Sequence, residues 1–194
     1  MNNPHVFFLT GDSGIGKSTL LIDVIKKNQL LLSGFFVHRV LNKKHEIEGF
    51  ELCSANSVYQ DRHNREGTRF IWKNKIEHVY DSTVFSKLGI ELLKATFKET
   101  NSVILLDEIG GVELIEKDFF IELLKVLELP NKIIGVFKSN KNYNQQQKTH
   151  TDDLKMIHHR QQLENKINEQ GLLVELTEEN RQQVEQQLKK FMRS

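Results

Sequence analysis

Gly11-Asp12-Ser13-Gly14-Ile15-Gly16-Lys17-Ser18 fits the spacing G-x-x-x-x-G-K-[ST], and Thr19 follows it. That spacing suits one task, wrapping a backbone around a polyphosphate. Glycines at 11, 14 and 16 remove Cβ atoms from the wrap, and a helix starting near Lys17 adds positive potential at its amino end. Lys17 is then placed to bridge the β- and γ-phosphates, and the Ser18 hydroxyl to hold Mg²⁺. The expected nucleotide-binding segment is therefore Gly11 to Thr19. The competing reading is a glycine-rich turn that merely joins a strand to a helix.

A second candidate is Val103-Ile104-Leu105-Leu106-Asp107-Glu108. Four apolar residues ending in carboxylates describe a buried strand whose carboxyl end opens on a phosphate crevice. Asp107 is expected to hold the metal there, and Glu108 to polarise an attacking water as catalytic base. Because successive strand residues point to opposite sides, the two carboxylates are expected to divide these roles. Glu113 follows Gly110-Gly111 and serves either the site or a helix start. Arg39, Arg62, Arg65 and Arg69 are candidates for a charge-stabilising arginine, against a background in which most arginines are solvated. His158-His159 do not share a helix face and are not expected to chelate. Cys53 reads as packing.

These residues need elements to hold them. Val6–Thr10 reads as a strand buried on both faces, and Leu20, Leu21, Val24 and Ile25 give the next segment a helical face. Runs at 35–41 and 47–52 around Asn42-Lys43-Lys44 predict an antiparallel hairpin. Loop with one strand at 70–72 follows, then a helix over 82–98. Beyond the strand ending at Leu106 come a helix at 119–127, a strand at 132–137, and a polar loop at 138–149. A helix at 151–168, a strand at 172–176 and a last helix from about 178 complete the pattern, with Thr177 and Asn180 as its cap. Strands alternating with helices predict a mostly parallel sheet with right-handed crossovers, and nothing divides residues 1–194 into two domains.

Composition sets exclusions. The 27 basic residues against 26 acidic ones argue against a general nucleic-acid binder. One cysteine excludes an intrachain disulfide and a cysteine-built metal cluster. No stretch has the roughly 20 apolar residues of a membrane span. A cytoplasmic chain without membrane or nucleic-acid partners is expected.

Beyond the phosphate loop, Asp107-Glu108-Ile109-Gly110-Gly111-Val112-Glu113-Leu114 resembles the D-E-I-G-x-M-E-L segment of the THEP1 family of nucleoside-triphosphatases, with Val112 in place of methionine. Gly34-Phe35-Phe36, then Gly49-Phe50, and Glu175 to Arg181 match in order and spacing. The resemblance implies an α/β, three-layer P-loop NTPase fold with a mostly parallel central sheet, helices on both faces and a small antiparallel hairpin insertion. It implies Mg²⁺-dependent hydrolysis of ATP, GTP and other nucleoside triphosphates; a monomer is expected. Lys17 and Ser18 become phosphate and Mg²⁺ ligands, Asp107 the metal carboxylate, and Glu108 the base. Val37-His38-Arg39-Val40-Leu41 departs from the family's T-E-E-V-R run, and Ile47 replaces an arginine. Two other readings share the same phosphate grip: a small-molecule kinase, which needs a second pocket, and a nucleotide-gated binding module with little turnover. No base-reading N-K-x-D is present; Asn140-Lys141-Asn142-Tyr143 lacks its aspartate.

Overall fold

The computed structural model describes residues 4–61, 65–73, 78–147 and 154–194. Its eight strands form one sheet in the order β5-β4-β3-β2-β6-β7-β1-β8. They span Val6–Thr10 (β1), Leu32–Leu41 (β2), Ile47–Ser54 (β3), Gly67–Lys73 (β4), His78–Tyr80 (β5), Val103–Ile109 (β6), Ile133–Phe137 (β7) and Gly171–Glu175 (β8). β2, β6, β7, β1 and β8 run parallel, while β3, β4 and β5 extend the β2 side antiparallel. The predicted hairpin is β2–β3, and two further strands continue it. The helices are Lys17–Asn28 (α1), Ile90–Thr96 (α2), Lys117–Val126 (α3), Asn140–Gln147 (α4), Leu154–Gln170 (α5) and Arg181–Arg193 (α6).

Two cores follow from strand alternation. Phe7 and Leu9 face one side of β1, where they pack with Leu21, Val24 and Ile25 of α1 and Val184, Leu188 and Phe191 of α6. Val6 and Phe8 face the other, with Phe119 and Leu123 of α3 and Leu163 and Ile167 of α5. Every one of these side chains has a relative exposure of 6% or less. At roughly 1.5–3 kcal/mol for each fully buried large apolar side chain, the two cores fix the sheet between its helices.

This layering makes the crevice. The chain leaves β1 into α1 on one face but leaves β6 and β7 toward α3 and α5 on the other. Diverging connections open a gap at the carboxyl ends of β1, β7 and β6.

Two expectations need correction. The segment at 138–149, expected as a loop, contains α4; Tyr143, 6% exposed, anchors it, and the Tyr143 N–H donates to the Ser139 carbonyl. The helix expected over 82–98 is shorter and opens with a wide turn at Phe85–Gly89 before α2. The Thr177–Asn180 cap is present as a reciprocal pair: Thr177 N–H to Asn180 Oδ1 at 2.8 Å, and Asn180 N–H to Thr177 Oγ1 at 3.2 Å.

Candidate active site

The loop between β1 and α1 is held from outside as well as by its own residues. Gly11 has φ +124°, and a Cβ there would stand 2.6 Å from the Leu176 carbonyl oxygen. Gly16, with φ +91°, would drive a Cβ to 2.7 Å from Arg181 Nη1, which itself donates to the Ile15 carbonyl at 3.2 Å. Glycine at these two positions thus reconciles a left-handed backbone with the close approach of the segment after β8. Gly14, by contrast, faces open space.

Lys17 is 7% exposed, and its Nζ donates to the carbonyls of Gly11 at 2.8 Å and Asp12 at 2.7 Å. Burial lowers its pKa, an effect opposed by the charges of Glu108 and Asp107. Ser18 Oγ donates to Asp107 Oδ1 at 3.0 Å, tying the start of α1 to the end of β6. Asp107 is 2% exposed, and its pKa rises to about 7, first through burial and then through the charge of Glu108. Its second oxygen, Oδ2, is buried without a hydrogen-bond partner among the described residues.

Asp107 and Glu108 both line the same two cavities. The register between β6 and β7 shifts between Asp107 and Ile109, and the peptide bond joining Asp107 to Glu108 is cis. The first cavity, about 730 Å³, runs along Ser13, Gly14 and Gly16 to Thr19 and on toward β2. The second, about 330 Å³, lies between the carboxylates and the antiparallel strands.

Of the loop residues expected to bind nucleotide, Ser13, Gly14, Gly16, Lys17, Ser18 and Thr19 line the larger cavity. Gly11, Asp12 and Ile15 do not; their carbonyls take the bonds from Lys17 and Arg181, and the Asp12 carboxylate pairs with Lys141 at 2.8 Å. Among the candidate arginines, Arg39 faces both cavities from β2, and its charge acts on Lys17 and Asp107. Arg65 donates to the Ser57 and Val58 carbonyls, and Arg69 lies 3.5 Å from Glu51. Arg62 lies outside the described residues. Glu113, 4% exposed, accepts the Gly111 N–H at 2.8 Å, and burial raises its pKa. His159 donates to the Leu114 carbonyl at 2.9 Å and stacks on Phe120. Cys53 is 1% exposed, with its thiol pushed up to about 11 by burial.

Two residues escaped the sequence reading. Arg160, 5% exposed on α5, donates to the carbonyls of Gly110 and Lys138 and to Asn140 Oδ1, clamping the ends of β6 and β7 together. A charged residue on the apolar stripe of Met156, Leu163 and Ile167 was the available signal. Asn142 of α4 donates to the Gly11 carbonyl at 3.3 Å and faces both cavities.

The donor chemistry fits a hard cation. Asp107 Oδ2 and the Ser18 hydroxyl are both oxygen donors, as Mg²⁺ prefers. Among the described residues no group of three or more His, Cys, Asp or Glu side chains could hold a metal, so a Mg²⁺ ion here would need oxygens from its nucleotide.

The model of the family described as NTPase matches residues 6–189. The chain belongs to that family. Curated relatives include the cancer-related nucleoside-triphosphatase homolog of Bos taurus, 27% identical over 67% of this chain and 72% of the relative. The nucleoside-triphosphatase THEP1 of Aquifex aeolicus is 25% identical over 63% of this chain and 71% of the relative. Two solved structures share the fold: THEP1 from Aquifex aeolicus (TM-score 0.62, 19% identity, 94% and 96% of the two chains) and a human cancer-related nucleoside triphosphatase (TM-score 0.62, 20% identity, 95% of each). Membership in the NTPase family places the chain among the nucleoside-triphosphatases, enzymes that hydrolyse a phosphoanhydride bond.

Proposed function

We propose that this NTPase hydrolyses ATP, GTP and other nucleoside triphosphates to diphosphate and phosphate, with water attacking the γ-phosphorus. The observation that carries the reading is the convergence of Lys17, Ser18, Asp107 and Glu108 on one crevice at the carboxyl ends of β1 and β6. The Lys17 ammonium, bonded to loop carbonyls in the free protein, exchanges them for phosphate oxygens. Ser18 and Asp107 would hold Mg²⁺, which when bound neutralises charge on the leaving diphosphate. Glu108 takes the proton from the attacking water. Arg39, exposed and bridging the two cavities, offsets charge that builds on the transferred group.

The reading takes residues 1–194 as one domain, because a single sheet joins the elements carrying these side chains. Its cytoplasmic setting rests on the sequence, with a single cysteine, and a monomer is the working assumption. No helix among the described residues is long and apolar enough to cross a membrane.

Phosphate release with several nucleoside triphosphates, with and without Mg²⁺, tests the reading. Lys17→Ala should lose release with all of them. Glu108→Gln should retain nucleotide binding while turnover drops on the order of 10²–10⁴-fold. Normal turnover in Glu108→Gln would remove the base assignment.

A further inference from the structure

The smaller cavity is larger than hydrolysis needs. A water molecule occupies roughly 30 Å³, and the space between the carboxylates and the antiparallel strands is about 330 Å³, the size of a small-ligand pocket. Its walls are of three kinds. Phe50, Phe85 and Val37 supply apolar surface, Arg39, Lys73 and Lys138 bring positive charge, and Asp107, Glu108 and Glu113 bring carboxylates on the side toward the phosphate loop and the turn after β6. Three cations in one cavity repel one another; Arg39 and Lys138 both act, after burial, to lower the pKa of Lys73. Glu113 answers part of the charge of Lys138, and an anion lying against Arg39 and Lys73 would relieve the repulsion between those two. The two cavities share Ser18, Arg39, Asp107, Glu108 and Asn142, so they meet where the γ-phosphate of a nucleotide on the loop would react.

We propose that the smaller cavity is a phosphoryl-acceptor subsite for a small phosphate monoester with a flat apolar body, the size of a nucleoside monophosphate. Arg39, Lys73 and Lys138 take its phosphate, and Phe50 and Phe85 take its ring. In the transfer an oxygen of the monoester attacks the γ-phosphorus and a new anhydride bond forms. The bond from that phosphorus to the β–γ bridging oxygen breaks, and its electron pair leaves with the nucleoside diphosphate. The acceptor oxygen is already ionised near neutral pH, so no proton has to move. When the subsite is empty, water takes the acceptor's place and the outcome is hydrolysis. The inference rests on the nucleoside-triphosphatase reading for the donor half of the site.

The experiment uses the full chain, ATP labelled on its γ-phosphate, Mg²⁺ and the common nucleoside monophosphates at millimolar concentration, with neutral nucleosides as a second arm. Labelled nucleoside diphosphate should appear at the expense of labelled inorganic phosphate. Val79→Trp, on the exposed edge strand β5, projects bulk into the cavity wall, and Lys73→Glu reverses one of its charges. Each should lower the ratio of transferred to released label about tenfold, equivalent to ~1.4 kcal/mol. The ratio is read within one tube, so a partly unfolded variant does not disturb it. Label found only in inorganic phosphate with every monophosphate overturns the subsite. So does transfer to nucleosides but not monophosphates, or a ratio that neither variant changes. Absence of inorganic phosphate without any acceptor, with transfer intact, overturns the hydrolase reading instead; absence of both products overturns the two together.

Discussion

Glu113 is a carboxylate almost wholly removed from water at the end of β6, and its role can be separated from that of Glu108 by pH. Burial raises its pKa, and the charge of Lys138 opposes this without reversing it. In the unfolded chain the same group ionises at its lower, ordinary value. Between the two values the folded form holds more protons, so stability falls as pH rises through that window and stays lower above it. Glu113→Gln keeps an oxygen for the Gly111 N–H and removes the charge. Its Tm should exceed that of the wild type at pH 8, and the gap should close as the pH falls toward 4. A lower Tm for the variant at pH 8 would show that Lys138 stabilises the ionised form more than burial opposes it. Lys17, Ser18, Asp107 and Glu108 were readable one by one because each sits in a local spacing with a chemical reason. Arg160 was not, because its acceptors lie 50 and 22 residues away in the chain and only the fold brings them near.

At the level of elements, α5 acts as a strut beneath the crevice. Its Arg160 guanidinium meets two backbone carbonyls and an amide oxygen while covering the rings of Phe137, at 4.3 Å, and Tyr143, at 4.8 Å. Arg160→Ala strands the Gly110 and Lys138 carbonyls, at about 1–3 kcal/mol for each buried polar group left unpaired. Chemical denaturation should therefore show a loss of about 2–6 kcal/mol. Arg160→Lys should recover only part of it, since one ammonium lacks the planar fork; full recovery by lysine would contradict the clamp. The parallel strands were legible because runs such as Val103–Leu106 and Ile133–Phe137 are apolar throughout, as burial on both faces requires. α4 was not, since Asn, Gln and Lys give it no apolar face and, among its described side chains, Tyr143 is the buried one. The same helix brings Lys141 and Asn142 against the phosphate loop, although Asn140-Lys141-Asn142 is no base-reading motif.

For the whole molecule, the crevice joins α1, β6, β7 and the segment after β8, so nucleotide bound there should stabilise all of it at once. At a ligand concentration of 100 Kd the gain is ~2.7 kcal/mol, and for a chain of this size that raises Tm by roughly 5–10 °C. The shift should need both Mg²⁺ and nucleotide, and should vanish in Lys17→Ala; a shift retained by that variant would place the ligand elsewhere. The sheet order carries one more consequence, for the order of events during synthesis. β1 pairs only with β7 and β8, whose first residues are 133 and 171. At a translation rate of about 5–20 residues per second, Val6–Thr10 waits on the order of 10–30 seconds before both neighbours exist. Until β7 is made a run of valine, phenylalanine and leucine has no strand to pair with, until β8 is made it keeps one open edge, and until the end of that time the phosphate loop lacks Leu176 and Arg181 at its back. A nascent chain halted before residue 171 would therefore carry the whole phosphate-loop sequence and still be unable to close its hand on a nucleotide, with one open edge of β1 for chaperones to shelter.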